Sequence, residues 1–274
     1  MSTSGDGVDH KGAQDDCDSW DPGLIRTVRN PIGATAKRYF RPEVRDMQHV
    51  PSRGAALVVS NHSAGMWTPD FPIFATAFYD TFGYDRPLYC LAHNAMFAGP
   101  LGHWLPRLGV IHASHQNVAK ALNAGGVVMV FPGGDYDVYR PTFSSSVIDF
   151  NGRTGYAAAA IDAGVPIVPL VSIGGQETQL FLTRGGGLAR RLGLGRARIK
   201  ILPLAVGFPF GLIPYGLLNV PLPAKIVTQV LESVNIDAQF GERPDVDEVD
   251  AHVRSVMQTT ADQLTRERRY PILG

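Results

Sequence analysis

The chain has little cysteine: of 274 residues only Cys17, in a polar N-terminal stretch, and Cys90, in an apolar one, carry a thiol. That argues against a disulfide framework or a cysteine-ligated metal and fits a reducing compartment. It also lacks an excess of charge of either sign, since 25 basic residues balance 25 acidic ones and charged residues are only 18% of the total. No global field therefore draws it onto nucleic acid, and any attraction to an anionic surface has to come from local patches. No run reaches the roughly eighteen apolar residues of a membrane span. The first residues, with Asp6, Asp9, Asp15, Asp16 and Asp18, lack the basic start and apolar middle of a secretory signal. They read as a disordered acidic tail over residues 1–20, ahead of one domain over 21–274. Metal-ligand clusters, a nucleotide fingerprint and the glycine-x-serine-x-glycine elbow of a serine hydrolase are also missing.

What is present is apolar: 45% of the residues are hydrophobic, enough for one substantial core. Leu24, Ile25, Val28 and Ile32 have mildly helical spacing across Asp21 to Lys37, with Pro31 interrupting, so a short helix or helix-turn is expected there. Alternation from Tyr39 to Val50 suggests a strand. Ala55 to Val59 is a continuous apolar run, the pattern of a strand buried on both faces. It ends in the polar turn Asn61-His62-Ser63-Ala64-Gly65, and Thr68-Pro69-Asp70 starts a helix carrying Phe71, Ile73, Phe74 and Phe78. Pro87 to Leu91, Gly109 to His112 and Val127 to Phe131 read as further strands. Asn117 to Asn123 and Gly155 to Ala163 read as helices, and Ala95 to Arg107 as loop and short helix. Val165 to Val171 is a strand whose prolines point to an edge or to irregular pairing, a buried parallel strand starting after Pro166 being the alternative. Pro244 opens a final helix, 244–269, with Val249, Val253, Val256, Met257 and Leu264 on one stripe. The expected fold is α/β, a single domain with a central, largely parallel or mixed sheet flanked by helices.

Two turns carry the chemistry. In open α/β sheets, ligands bind beyond the carboxyl ends of the strands. His62 stands at such an end with Asp70 within loop reach, and a histidine so placed suits a general base. Phe131-Pro132-Gly133-Gly134-Asp135 ends a second buried strand, where paired glycines let backbone approach a ligand or an oxyanion.

Taken in order, Val58-Val59-Ser60-Asn61-His62 with Asp70, Leu108-Gly109-Val110-Ile111, Val130-Phe131-Pro132-Gly133-Gly134 and Val165-Pro166-Ile167-Val168-Pro169-Leu170 resemble the landmarks of the glycerolipid acyltransferase superfamily, the lysophosphatidic acid acyltransferase-like enzymes. The resemblance covers about Tyr39 to Lys225. It implies that His62 is the general base, that Asp70 orients its imidazole, and that Asn61, Ser63, Phe131, Pro132, Gly133, Gly134, Asp135 and Arg140 bind the acceptor. The donor it implies is acyl-CoA or acyl carrier protein, a co-substrate rather than a resident cofactor, and the acceptor a lipid hydroxyl at the cytoplasmic face of a membrane. Nucleic acid and metal have no place in it.

Three departures from the family pattern bear on the acceptor. Seven residues separate His62 from Asp70 where the family has four, and Trp67 stands where the aspartate would fall. Gly133 replaces the usual glutamate, as in the neutral-lipid subgroup. After Gly109 the chain offers His112, Ser114 and His115 rather than an arginine to clasp phosphate, and neutral histidine or serine cannot reproduce a bidentate guanidinium. The expected acceptor is a neutral glyceride, glycolipid or alcohol, with Arg140 as a substitute cation if it is phosphorylated. A catalytically silent lipid-binding protein of the same fold is the alternative. Arg184, Arg190, Arg191, Arg196, Arg198 and Lys200, then the Phe/Leu/Pro-rich stretch Ile201 to Pro223, read as a basic and apolar region suited to a bilayer surface, an acyl-chain tunnel or core packing.

Overall fold

The structure, a computed structural model, describes residues 16–62, 68–144, 146–194, 201–216, 218–268 and 270. In chain order the elements are helix α1 (Pro22–Phe40), strands β1 (Glu43–Arg45) and β2 (Ala56–Ser60), helix α2 (Asp70–Phe82), strands β3 (Leu88–Ala92) and β4 (Val110–His112), and helix α3 (His115–Asn123). Next come β5 (Val127–Val130), α4 (Gly134–Val138), α5 (Gly155–Ala163), β6 (Ile167–Ile173), β7 (Leu180–Thr183) and α6 (Gly186–Arg191). The chain continues through β8 (Leu204–Gly207), β9 (Gly211–Pro214), β10 (Val227–Val230), α7 (Ile236–Phe240) and α8 (Val246–Glu267).

The main sheet has seven strands in the order β1-β10-β6-β2-β5-β3-β4. β6, β2, β5, β3 and β4 run parallel, while β10 pairs antiparallel with β6 and parallel with β1. β2 is buried along its whole length, and its side chains divide by the two-residue period of a strand. Leu57 and Val59 join Val128, Val130, Ile167 and Val171 beneath the helices α3, α5 and α8. Ala56 and Val58 join Met129, Val168 and Leu170 against Phe74, Phe78 and Ile25 of α2 and α1. Helices on both faces of a parallel sheet explain why its strands are continuous apolar runs.

Several expectations are corrected. β6 is central, between β2 and β10, and not at an edge: of the readings open for it, the buried parallel strand starting after Pro166 is the one found. Its Pro169 is tolerated because the pairing with the β10 side is irregular there: the register slips by one residue between Leu170↔Val230 and the separate Ile167↔Val234 bridge. α1 is one helix of 19 residues that runs through Pro31, held against α2 where Gly33 meets Thr76; packing outweighs the lost backbone bond. The strand expected over Tyr39 to Val50 is only Glu43–Arg45, because Asp46 turns left-handed and a 3-10 turn over Met47–His49 follows.

The tail expected over residues 1–20 does not extend through residues 16–20. Asp16–Ser19 form a 3-10 turn in which Asp16 and Cys17 are buried. The Asp16 carboxylate accepts the His112 backbone N–H at 2.9 Å and the Asn117 amide at 3.1 Å, and lies 2.7 Å from His112 Nδ1. Residues 1–15 lie outside the described residues. The last helix spans Val246–Glu267, capped by the Asp245 side chain; residue 269, its expected end, also lies outside them. Among the described residues, no helix is long and apolar enough to cross a membrane.

Residues 180–214 contain a second, three-stranded antiparallel sheet, β7-β8-β9, which sequence reasoning did not separate from loop. Its inner residues Phe181 and Ala205 pack on Val138 and Tyr139 at the end of α4. The small sheet therefore rides on the loops at the carboxyl edge of β2, β5 and β6.

Candidate active site

Where β2 ends, the buried Asn61 amide takes over the role of a ladder. It donates from Nδ2 to the Ser172 carbonyl at 2.8 Å and accepts the Ser172 N–H at Oδ1, also at 2.8 Å. Both ends of the amide are spent on β6, so Asn61 is a strand clasp and not, as expected, an acceptor ligand.

His62 follows. Its Nδ1 lies 3.3 Å from Asp70 Oδ2, at the first residue of α2. Asp70 is 2% exposed, and its other oxygen accepts the Ser172 hydroxyl at 3.1 Å. Thr228 on β10 donates to that hydroxyl oxygen at 3.4 Å. With Nδ1–H held by Asp70, Nε2 is the basic nitrogen. The His62 ring stacks on Phe131 with centroids 4.2 Å apart, which fixes its plane. The intervening loop, including the candidate Ser63, lies outside the described residues; the seven-residue spacing nonetheless brings carboxylate and imidazole together.

The backbone of His62 is held separately. Its N–H donates to Asp137 Oδ2 at 2.6 Å, and its carbonyl accepts Gln176 Nε2 at 3.4 Å. Asp137 is buried and forms an ion pair through Oδ1 with Arg140, 2% exposed. Burial pushes the Asp137 carboxyl up to about 6, with Arg140 and the His62 N–H opposing the rise. Arg140 is thus turned inward and committed to a carboxylate, which corrects its expected role as a cation for the acceptor.

The glycine turn is shaped by the same carboxylate. A Cβ on Gly133 would lie 2.4 Å from Asp137 Cβ, so no larger residue fits where the family has glutamate. Gly134 has φ +49°, and its N–H closes the turn onto the Phe131 carbonyl at 3.0 Å. Arg153 braces the outside, donating to the carbonyls of Gly133 at 2.7 Å and Pro132 at 3.3 Å and pairing with the exposed Asp135 at 2.8 Å. His112 is likewise committed, to Asp16 and to a stack on Phe97, and the Ser114 hydroxyl caps α3.

Sequence reasoning missed Asp137, Ser172, Gln176 and Arg153. The one available signal was Asp137 three residues before Arg140, a spacing that pairs charges across a helical turn.

Residues 41–173 match the family model described as Acyltransferase. An uncharacterized protein of Mycobacterium tuberculosis is 34% identical over 190 residues, which is 69% of this chain and 51% of that protein. The DGAT1/2-independent enzyme synthesizing storage lipids of Bos taurus is 27% identical over 220 residues, 80% of this chain and 64% of that enzyme. The chain thus spans about half to two thirds of the length of these relatives. The crystal structure of the 1-acyl-sn-glycerophosphate (LPA) acyltransferase PlsC from Thermotoga maritima superposes with a TM-score of 0.55 at 17% identity, covering 88% of this chain and 81% of that one; at that identity the match speaks for the fold. The matched segment contains the His62–Asp70 pair, the Phe131-Pro132-Gly133-Gly134 turn and the parallel strands that hold them, and it is this segment, residues 41–173, that belongs to the acyltransferase family.

Proposed function

We propose that the protein transfers a fatty acyl group from acyl-CoA, or from acyl carrier protein, to the hydroxyl of a neutral glyceride or related lipid at the cytoplasmic face of a membrane. The observation that carries the reading is the relay Thr228–Ser172–Asp70–His62 at the carboxyl edge of the sheet. His62 Nε2 takes the proton of the acceptor hydroxyl as its oxygen attacks the thioester carbon. Asp70 stabilises the resulting imidazolium and keeps the ring in the productive tautomer. Collapse of the tetrahedral intermediate breaks the carbon–sulfur bond, and the imidazolium returns its proton to the leaving thiolate. No acyl-enzyme is required, because the attacking oxygen already belongs to the acceptor.

The neutral acceptor is supported by the commitments of the side chains that could have clasped a phosphate. Arg140 is paired with Asp137, Arg153 is spent on Asp135 and two carbonyls, and His112 faces Asp16. The storage-lipid synthesis in the name of the Bos taurus relative points the same way. The test is purified protein with radiolabelled acyl-CoA and a panel of mono- and diglycerides and lysophosphatidate. Product on the neutral acceptors, abolished by His62→Ala, is expected. Equal product with His62→Ala refutes the mechanism, and binding without product leaves the silent lipid-binding reading in its place.

A further inference from the structure

Between Glu177 and Glu232 the sequence contains no acidic residue, while Arg184, Arg190, Arg191, Arg196, Arg198, Lys200 and Lys225 all fall there. In a chain whose charges cancel overall, this is the longest stretch without an acid, it carries seven of the 25 basic residues, and it builds the small sheet. The inner face of that sheet is satisfied by Val138 and Tyr139. Its outer face is not polar, as an antiparallel sheet facing water would be. Val206 on β8 pairs directly with Leu212 on β9, and both are exposed. At the β8–β9 turn, Phe208 is 74% and Phe210 59% exposed, and Leu218 beyond β9 is 66% exposed.

The turn is held rigidly in this presentation. Asn219, 2% exposed, accepts the Phe210 N–H at 3.1 Å and donates to the Gly211 carbonyl at 2.9 Å. A Cβ on Gly207 would come within 2.9 Å of the same side chain. Arg190 and Arg191 stand exposed in the connection from β7 to β8. An apolar outer face with the aromatic turn at one end, the exposed arginines of the β7–β8 connection at the other and no acid in its own sequence matches an anionic bilayer: aromatic side chains seat at the headgroup level and arginines gather anionic lipid around them.

We infer that the outer face of β7-β8-β9, with Phe208 and Phe210 at its tip, is the surface by which this protein docks onto a membrane containing anionic lipid. The inference deepens the proposed function, on whose lipid acceptor it rests, by assigning the membrane contact to one face. Because β2, β5 and β6 end at the same edge on which the small sheet rides, docking by this face brings the His62–Asp70 pair to the lipid surface.

The test is co-sedimentation with vesicles of phosphatidylcholine alone and of phosphatidylcholine with phosphatidylglycerol. Wild type is expected to bind the anionic vesicles preferentially, and high salt to weaken that binding. Phe208→Ser with Phe210→Ser is expected to lower binding about tenfold or more, and Arg190→Glu with Arg191→Glu to remove the preference for phosphatidylglycerol. An unchanged melting temperature, and retained transfer between a short-chain acyl-CoA and a water-soluble short-chain alcohol, confirm that the serine variant is folded and intact at its site. Wild-type binding by the serine variant, no preference for the anionic vesicles, or no vesicle binding by wild type overturns the inference. A lipid-free dimer that the serine substitutions dissociate overturns it in favour of a second copy on this face. Vesicle binding as expected, with no acyl transfer by wild type on any acceptor, supports the docking face and sinks the proposed reaction alone.

Discussion

Asp70→Asn tests the relay most directly, because it keeps the shape of the side chain and removes its charge. In the native arrangement Oδ1 takes the Ser172 hydroxyl and Oδ2 faces His62 Nδ1. If the amide oxygen keeps the Ser172 hydroxyl, its NH2 faces Nδ1, which forces the proton onto Nε2 and removes the base. If the amide flips, the tautomer survives and only the charge is lost. For that milder case, two unit charges 3.3 Å apart interact by about 5 kcal/mol at an effective dielectric of about 20. The imidazole is 17% exposed, so solvent screens part of this and about 3–4 kcal/mol remains, a fall in kcat of about 10²- to 10³-fold. KM for acyl-CoA is expected to stay within about twofold, since the lost interaction develops only as the imidazolium forms. The assay is the initial rate of labelled acyl transfer to a diglyceride at saturating donor. A kcat within tenfold of wild type would refute the assignment of Asp70.

Two further substitutions probe the clamp on the His62 backbone. A carboxyl whose folded pKa lies above its unfolded one favours the folded state at low pH and loses that contribution as pH rises through the folded value, here from near 3.8 to about 6 for Asp137. Arg140→Met removes the opposing cation and extends the loss upward, so its melting temperature should fall increasingly below wild type as pH rises from about 6 to 8, toward a deficit of about 3–5 kcal/mol; a gap that stays constant or narrows over that range refutes the pairing argument. Gly133→Ala places a methyl against Asp137 and is expected to cost about 1–3 kcal/mol in thermal unfolding, with kcat falling even well below the melting temperature. Full activity in this variant would show that Asp137 does not set the position of His62.

The parts of the fold that were legible are those where burial writes itself into consecutive residues. β2, β5 and β6 are buried on both faces, so Ala56–Ser60, Val127–Val130 and Ile167–Ile173 stand out as unbroken runs. α2 and α8 show their stripes for the same reason. The small sheet was hidden because residues such as Val206 and Leu212 are apolar on the outward face, which erases the alternation that marks a half-exposed strand. β10 could not be placed from the sequence, since its neighbours β1 and β6 are far away along the chain. At the site, His62 and Asp70 were legible as a histidine at a strand end with a carboxylate within loop reach, and the resemblance gave them their roles. Asp137 and Asp16 looked like ordinary loop and tail acids; a buried carboxylate is recognisable only once its partners, Arg140 and His112 with Asn117, are seen around it.

The seating of β10 beside β6 bears on how the protein is made. The parallel core β6-β2-β5 is complete once Ile173 has been synthesised, but the flank of β6 that β10 covers stays open until Val230 follows. For that interval Leu170 to Ile173 offers a row of unanswered backbone groups in an apolar setting, the kind of seam on which a nascent chain joins a neighbour. Soluble yield should therefore depend on how quickly the ribosome releases the fifth of the polypeptide between Ile173 and Val230, and slowing translation there would favour aggregates built around that strand.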